Sequence, residues 1–191
     1  MALFTVTHKI GSQRIYEGGI INLRVDILKQ DGREKKREVV EHNGGVVIAC
    51  QPTPDEVILI KQYRYSVDEE LIELPAGRIE KGEQPLPAAQ RELTEETGFL
   101  AKNWEELARM YSAPGFCNEM LYLYLATDTT EVEKNLDEDE ETEVMRLPLD
   151  EAWHLVSTGR ARDAKTIAGI GLLYGRRVNG RRVNGKGVGQ K

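Results

Sequence analysis

The chain has 191 residues, 40% hydrophobic and 30% charged, with a formal net charge of −6; this suits one sizeable domain, or one domain with a small extension. No apolar run is long enough to span a bilayer, and the N-terminal MALFTVTHKIGSQRIYEG lacks a signal-peptide pattern. Cys50 and Cys117 make no disulfide framework, so a cytoplasmic protein with reduced thiols and no membrane partner is expected.

The charge is uneven. The C-terminal GRRVNGRRVNGKGVGQK (175–191) carries six bases and no acid, leaving the rest with 20 bases against 32 acids. An acidic body argues against a nucleic-acid surface. The tail, with its repeated GRRVN and its Gly and Asn, reads as a flexible basic extension.

In chain order, the first signals are strands. In IINLRVDIL, apolar Ile21, Leu23, Val25 and Ile27 alternate with polar Asn22, Arg24 and Asp26, a half-buried β pattern. Asp31-Gly32 marks a hairpin and REVVEH the return strand. Residues 1–42 hold too few apolar side chains for a core, so they are expected to form a small antiparallel sheet lying on another surface. GGVVIAC and EVILIKQY read as buried strands around QPTPD, and LIELPAG as a short strand broken by Pro75 and Gly77. A helix spans 84–98, closed by Gly98, with Leu86 and Leu93 facing the core. Pro114-Gly115 then marks a turn before the strand LYLYLAT. The acidic Leu136–Met145 run precedes a helix in PLDEAWHLVSTGR, with Leu149, Ala152, Trp153 and Val156 inward, and DAKTIAGIGLLYG closes the fold as a helix. Strands and helices in this order favour an α/β sandwich over residues 43–174.

The 84–98 helix carries an electrostatic problem. Glu92, Glu95 and Glu96 sit in its last two turns, where the helix end is already partially negative, and Glu92 and Glu96 repel as an i,i+4 pair. On a helical wheel they flank the core-facing side, and Arg91 is placed to hold Glu95. A solvent-facing charged helix is the plain alternative. Carboxylate oxygens without histidine or paired cysteines suit a hard divalent cation such as Mg²⁺ or Mn²⁺ rather than zinc.

The stretch GRIEKGEQPLPAAQRELTEETGF (Gly77–Phe99) resembles the Nudix box, Gx5Ex7REUxEExGU, at every specified position: Gly77, Glu83, then Arg91 through Phe99. The box covers about an eighth of the chain. The resemblance implies a Nudix-type α/β/α sandwich with a mixed sheet, hydrolysing a nucleoside diphosphate linked to another moiety with divalent metal. It further implies Glu92 and Glu96 as metal ligands, Glu95 as a third, and the Ala76 carbonyl as another metal oxygen.

Beyond the box, SAPG with Pro114, the run KQYRY and the strands ending in REVVEH resemble the ADP-ribose pyrophosphatase branch. That likeness implies Arg64 as a substrate-phosphate ligand, Arg37 near the nucleotide, and a homodimer through the N-terminal strands. It also implies a carboxylate of the acidic loop, Glu140 or Glu138, as the base or an extra metal ligand. ADP-ribose hydrolysis to AMP and ribose 5-phosphate is the expected activity. Another nucleoside diphosphate sugar such as GDP-mannose is the alternative substrate, and a non-catalytic nucleotide-sugar sensor the alternative role.

Overall fold

Asp31 and Gly32 sit at φ 50° and 73°, the left-handed pair that a two-residue hairpin matched to strand twist requires. In this computed structural model, which describes residues 3–133 and 142–185 (side chains to 180), they join β2 (Asn22–Gln30) to β3 (Arg33–Glu41). With β1 (Lys9–Glu17) these form an antiparallel sheet in the order β1-β2-β3. The small antiparallel sheet expected within residues 1–42 starts at Lys9.

The chain divides into two units: Met1–Gly44 with Met110–Leu121, and Gly45–Arg109 with Tyr122–Lys191. The expected first boundary at residue 42 omitted the 110–121 segment. Val40 fixes that segment in the first unit: its N–H donates to the Phe116 carbonyl at 2.8 Å, and its carbonyl accepts from the Asn118 N–H at 3.1 Å. The Pro114 turn therefore belongs to this unit.

Alternation in β2 does not bury the face its pattern suggests. Asp26 (8% exposed) and Leu28 (5%) are buried, while Leu23, Val25 and Ile27 are half-buried. Asp26 accepts from Ser12 Oγ at 2.6 Å, pairs with Lys9 at 2.7 Å and receives Arg24 Nε at 3.1 Å. Burial raises its carboxyl pKa, but the bonds from Lys9, Ser12 and Arg24 outweigh this and bring it to about 2, from 3.8.

A carboxyl whose folded pKa is depressed stabilises the fold above its unfolded pKa, and the stabilisation disappears as pH falls through the folded one. The stability gap between the wild type and Asp26→Asn, on the order of 1–2 kcal/mol at pH 6, should therefore close between pH 4 and pH 2. Urea melts followed by circular dichroism across that range measure it. A gap of constant size would refute this account of Asp26.

In the second unit, β4 (Gly45–Cys50), β7 (Ala76–Arg78), β8 (Phe99–Tyr111) and β9 (Met120–Glu131) make a mixed four-stranded sheet, β7-β4-β9-β8, the last two strands running on into the first unit. β5 (Glu56–Arg64), β6 (Glu69–Glu73) and β10 (Thr142–Pro148) form an antiparallel sheet, β10-β5-β6. α1 (Pro85–Thr97) packs on β4 and β7, and α3 (Ala164–Gly185) on β4 and β6, while α2 (Leu149–Ser157) lies against α3.

Every residue of β4 is buried. Successive side chains of a strand point to opposite faces. Val46, Ile48 and Cys50 join Ala88, Ala89 and Leu93 of α1 in one core, leaving Val47 and Ala49 for the opposite face. That is the covered-on-both-sides sheet the sequence predicts. Cys50, at the end of this strand, has its thiol pKa pushed up to about 12 by burial, so it is inert at neutral pH.

Two strands escape the sequence reading. β8 buries only Phe99 and has an amphiphilic, helix-compatible composition, FLAKNWEELARMY, so its strand state comes from pairing in the sheet. β10 takes up Thr142 and Glu143, which read as part of the acidic run. Among helix side chains, Leu155 rather than Trp153 or Val156 is fully buried in α2, and Trp153 stacks on Tyr174 with ring centroids 4.8 Å apart. Leu86 is 37% exposed.

α3 runs to Gly185, well into the stretch expected to be a flexible extension. Arg176 forks onto Glu105 at 2.9 and 3.0 Å, and Arg177 pairs with Asp150. The first GRRVN repeat is thus docked by ion pairs on the acidic body. No helix among the described residues is long and apolar enough to cross a membrane.

Candidate active site

α1 begins with Pro85 in its first turn and ends at Gly98, whose φ of 71° gives the left-handed stop. Its last turn contains no basic residue. Glu92 (7% exposed) and Glu96 (1%) are buried nonetheless, so the glutamates sit deeper than the edge position the wheel suggests.

Backbone contacts hold them. The Ala76 N–H donates to Glu96 Oε2 at 2.8 Å. Gly77 lies so close to Glu92 that a Cβ there would overlap the carboxyl group. β7 is itself held by pairing Val46 with Gly77 and Val47 with Ala76, and by the Ile48 N–H donating to the Pro75 carbonyl at 2.8 Å.

Arg91 answers the helix-end problem within the protein. Its Nη1 donates to Glu92 Oε1 at 2.8 Å and to Glu95 Oε2 at 2.9 Å. Its Nε and Nη2 reach Glu83 at 3.2 and 3.1 Å, and Nη2 also donates to the Arg78 carbonyl at 3.1 Å. The bond to Glu83, chief among these, raises the guanidinium pKa still further, and the same bond holds the Glu83 carboxyl below its usual range. The predicted Arg91–Glu95 pair is present, and Glu83 and Glu92 join it on one cation.

This donor set fits a hard divalent cation. The four glutamates offer only oxygen ligands, and three of them already share a single positive group. Among the described residues no three acidic, histidine or cysteine side chains converge as a ready cage. Arg91 lies between Glu92 and Glu95, so a cation shared by those two carboxylates would take over Arg91's contacts there.

A second cluster lies at the end of β5. Arg64 forks onto Glu73, Nε to Oε1 and Nη2 to Oε2, both at 2.8 Å. Lys165 also reaches Glu73 Oε2, and pairs with Asp163 Oδ1 at 2.9 Å. Asp163 Oδ2 accepts from the Thr166 N–H at 2.9 Å and from its hydroxyl at 2.6 Å, capping α3. Thr166 Oγ1 in turn accepts the Leu74 N–H at 2.8 Å. The first turn of α3 therefore grips the strand segment that leads to Ala76. Burial pushes the Glu73 pKa up, but the Arg64 and Lys165 contacts more than reverse this; the Arg64 pKa is raised, first by its bond to Glu73.

Glu73, Lys165, Asp163 and Thr166 had no part in the sequence reading. A glutamate between apolar Ile72 and Leu74 was the one available signal; the α3 partners lie more than 90 positions away.

The remaining candidates are Arg37, Glu138 and Glu140. Arg37 is exposed on β3 in the first unit, donating to the Lys36 carbonyl at 3.0 Å. Glu138 and Glu140 lie outside the described residues. The strands bordering their segment are both fastened to the end of α1: the Val132 N–H donates to the Gly98 carbonyl at 2.7 Å, and Thr142 Oγ1 to the Glu96 carbonyl at 3.0 Å.

Residues 41–170 match the family model described as NUDIX domain. The chain is 38% identical over 164 residues to a Bacillus subtilis (strain 168) protein named ADP-ribose pyrophosphatase. It is 35% identical over 164 residues to a Bacillus methanolicus protein named methanol dehydrogenase activator. Both alignments cover 84% of this chain and 89% of the relative. A solved structure titled crystal structure of ADP compounds hydrolase superposes with a TM-score of 0.76, covering 94% of this chain and 95% of that one; at 22% identity it establishes likeness of fold.

Proposed function

Because the chain belongs to the Nudix family, we propose that it hydrolyses the pyrophosphate bond of ADP-ribose and related nucleoside diphosphate sugars, giving AMP and ribose 5-phosphate from ADP-ribose. The observation that carries this reading is the pair of buried carboxylates, Glu92 and Glu96, pressed against the backbone of Gly77 and Ala76. Two carboxyl groups at a helix C-terminus are unfavourable for folding alone, and their fixed position suits a binding role. The 38% identity to a protein named ADP-ribose pyrophosphatase supports the substrate class.

Glu92, Glu95, Glu96 and the Ala76 carbonyl would hold the divalent cation, Mg²⁺ or alternatively Mn²⁺. Bound there, such a cation supplies countercharge to the pyrophosphate and acidifies a water. The protein's own groups do the rest. Arg64 grips a substrate phosphate through fixed, paired donors that lysine does not copy. A loop carboxylate, Glu140 or Glu138, takes the proton of the attacking water. The hydrogen bonds of Val132 and Thr142, which flank that segment in sequence, to the Gly98 and Glu96 carbonyls support that role.

The protein is proposed to act in the cytoplasm as a homodimer through its N-terminal strands, with Arg37 serving the nucleotide in the partner's site. Support comes from the first sheet, where Ile10, Ile15 and Tyr16 are at least half exposed and Leu28 is the one buried apolar side chain described. Light scattering on a sizing column should give twice the mass of 21.6 kDa; a clean monomer removes the shared role of Arg37.

The deciding assay compares ADP-ribose with GDP-mannose at equal concentration, with and without Mg²⁺, following AMP and GMP by chromatography. ADP-ribose should turn over about tenfold faster or more, a difference of about 1.4 kcal/mol in barrier. Preference for GDP-mannose would reassign the substrate. Absence of turnover on both would leave the sensor role.

A further inference from the structure

We propose that Glu73 is a positioning residue for Arg64, setting its guanidinium so that one edge is occupied by protein and the other is presented to a phosphate. The inference rests on the reading of Arg64 as a substrate ligand. Glu73 is 1% exposed, whereas the Arg64 side chain is 36% exposed. The fork between them uses Nε and one N–H of Nη2. A planar guanidinium held along that side can turn only by breaking two bonds to a buried charge. Both N–H bonds of Nη1 and the second of Nη2 are left on the far end, a spacing that matches two oxygens of a phosphate.

Lys165 has a distinct part. Alone, Glu73 would neutralise Arg64 and blunt its attraction for an anion. Lys165, only 15% exposed, shares Oε2 of the same carboxylate, so the charge of Glu73 is divided between two cations. Asp163 fixes Lys165 at 2.9 Å while its other oxygen is committed to capping α3. The chain Arg64–Glu73–Lys165–Asp163 thus ties the substrate arginine to the first turn of α3.

The test uses the full chain with ADP-ribose and Mg²⁺, in Glu73→Gln, Arg64→Ala and the double variant, with thermal melting of each. Glu73→Gln keeps the side-chain shape but removes the charge that holds the fork. It should raise KM about tenfold while kcat falls less than about threefold, as expected for lost substrate binding. Arg64→Ala should raise KM at least as much. The double variant should match Arg64→Ala within about twofold, because Glu73 acts through Arg64.

Multiplying defects in the double variant, or a folded Glu73→Gln protein with unchanged KM, overturns the proposal. Should Glu73→Gln fail to fold, Lys165→Met takes its place, with an expected KM rise of about threefold that disappears in the Arg64→Ala background; persistence there overturns it equally. If Arg64→Ala leaves KM unchanged in an active enzyme, the proposal falls and the hydrolase reading stands. If the wild type neither hydrolyses nor binds ADP-ribose by calorimetry, the hydrolase reading itself falls.

Discussion

Glu92→Gln is expected to lower kcat for ADP-ribose about 10³-fold, with a melting temperature equal to or above that of the wild type. Glu92 is a ligand in the proposed cation site, and a neutral amide binds a hard cation far less well than a carboxylate. Loss of such charge stabilisation is worth several kcal/mol of barrier, about a decade of rate for each 1.36 kcal/mol. Stability should move the other way, because the carboxylate sits at a negative helix end beside Glu96. The bond from Arg91 to Glu92 limits the gain.

Gly77→Ala tests the same geometry from the opposite side, since its Cβ would occupy the space of the Glu92 carboxyl group. Glu92 must then swing out, and a loss of about 10²-fold or more should follow with the glutamate still present. Steady-state rates and calorimetric Mg²⁺ titration of both variants provide the check. Wild-type rates in either one would remove Glu92 from the site.

The second large effect concerns two glycines that lie two positions apart in one helix and are opposite in packing. In α3, Gly169 and Gly171 both lower helix propensity by about 1 kcal/mol relative to alanine. A Cβ at Gly169 would run into Leu74 and touch Leu123 at 3.4 Å; at Gly171 it meets nothing within 4 Å. Leu74 and Leu123 are both 0% exposed, so neither can move aside into solvent.

Overpacking of this kind costs about 1–3 kcal/mol. Gly169→Ala should therefore destabilise by up to about 2 kcal/mol even after its propensity gain, and Gly171→Ala should stabilise by up to about 1 kcal/mol. For a chain of this length that separates the two melting temperatures by roughly 5–10 °C. Equal shifts would mean α3 does not seat on Leu74. Because Thr166 of the same helix holds the Leu74 N–H, Gly169→Ala should also disturb activity where Gly171→Ala does not.

Much of this protein was legible in the residues because the relevant physics is local. The Asp31-Gly32 hairpin, the helix closed by Gly98 and the buried run of β4 each follow from backbone preference or from a periodicity of a few residues. The pattern of the 84–98 helix likewise gathered Arg91, Glu92, Glu95 and Glu96, since one helix turn repeats every 3.6 residues.

What the fold alone decided is non-local. β8 is a strand because the sheet pairs it, against its own composition. The first GRRVN repeat lies on a helix because Glu105 and Asp150 meet its arginines, and no pattern within the repeat encodes those partners. Even the question raised by the glutamates had its protein answer at a distance, with Arg91 bridging back to Glu83 and Gly77 brought to Glu92 by strand pairing. Glu73 shows the limit most clearly: a charged residue in a buried strand signals that a partner exists, but only tertiary packing brings Arg64 and Lys165 to it, because ion pairing depends on distance in space and not on separation along the chain.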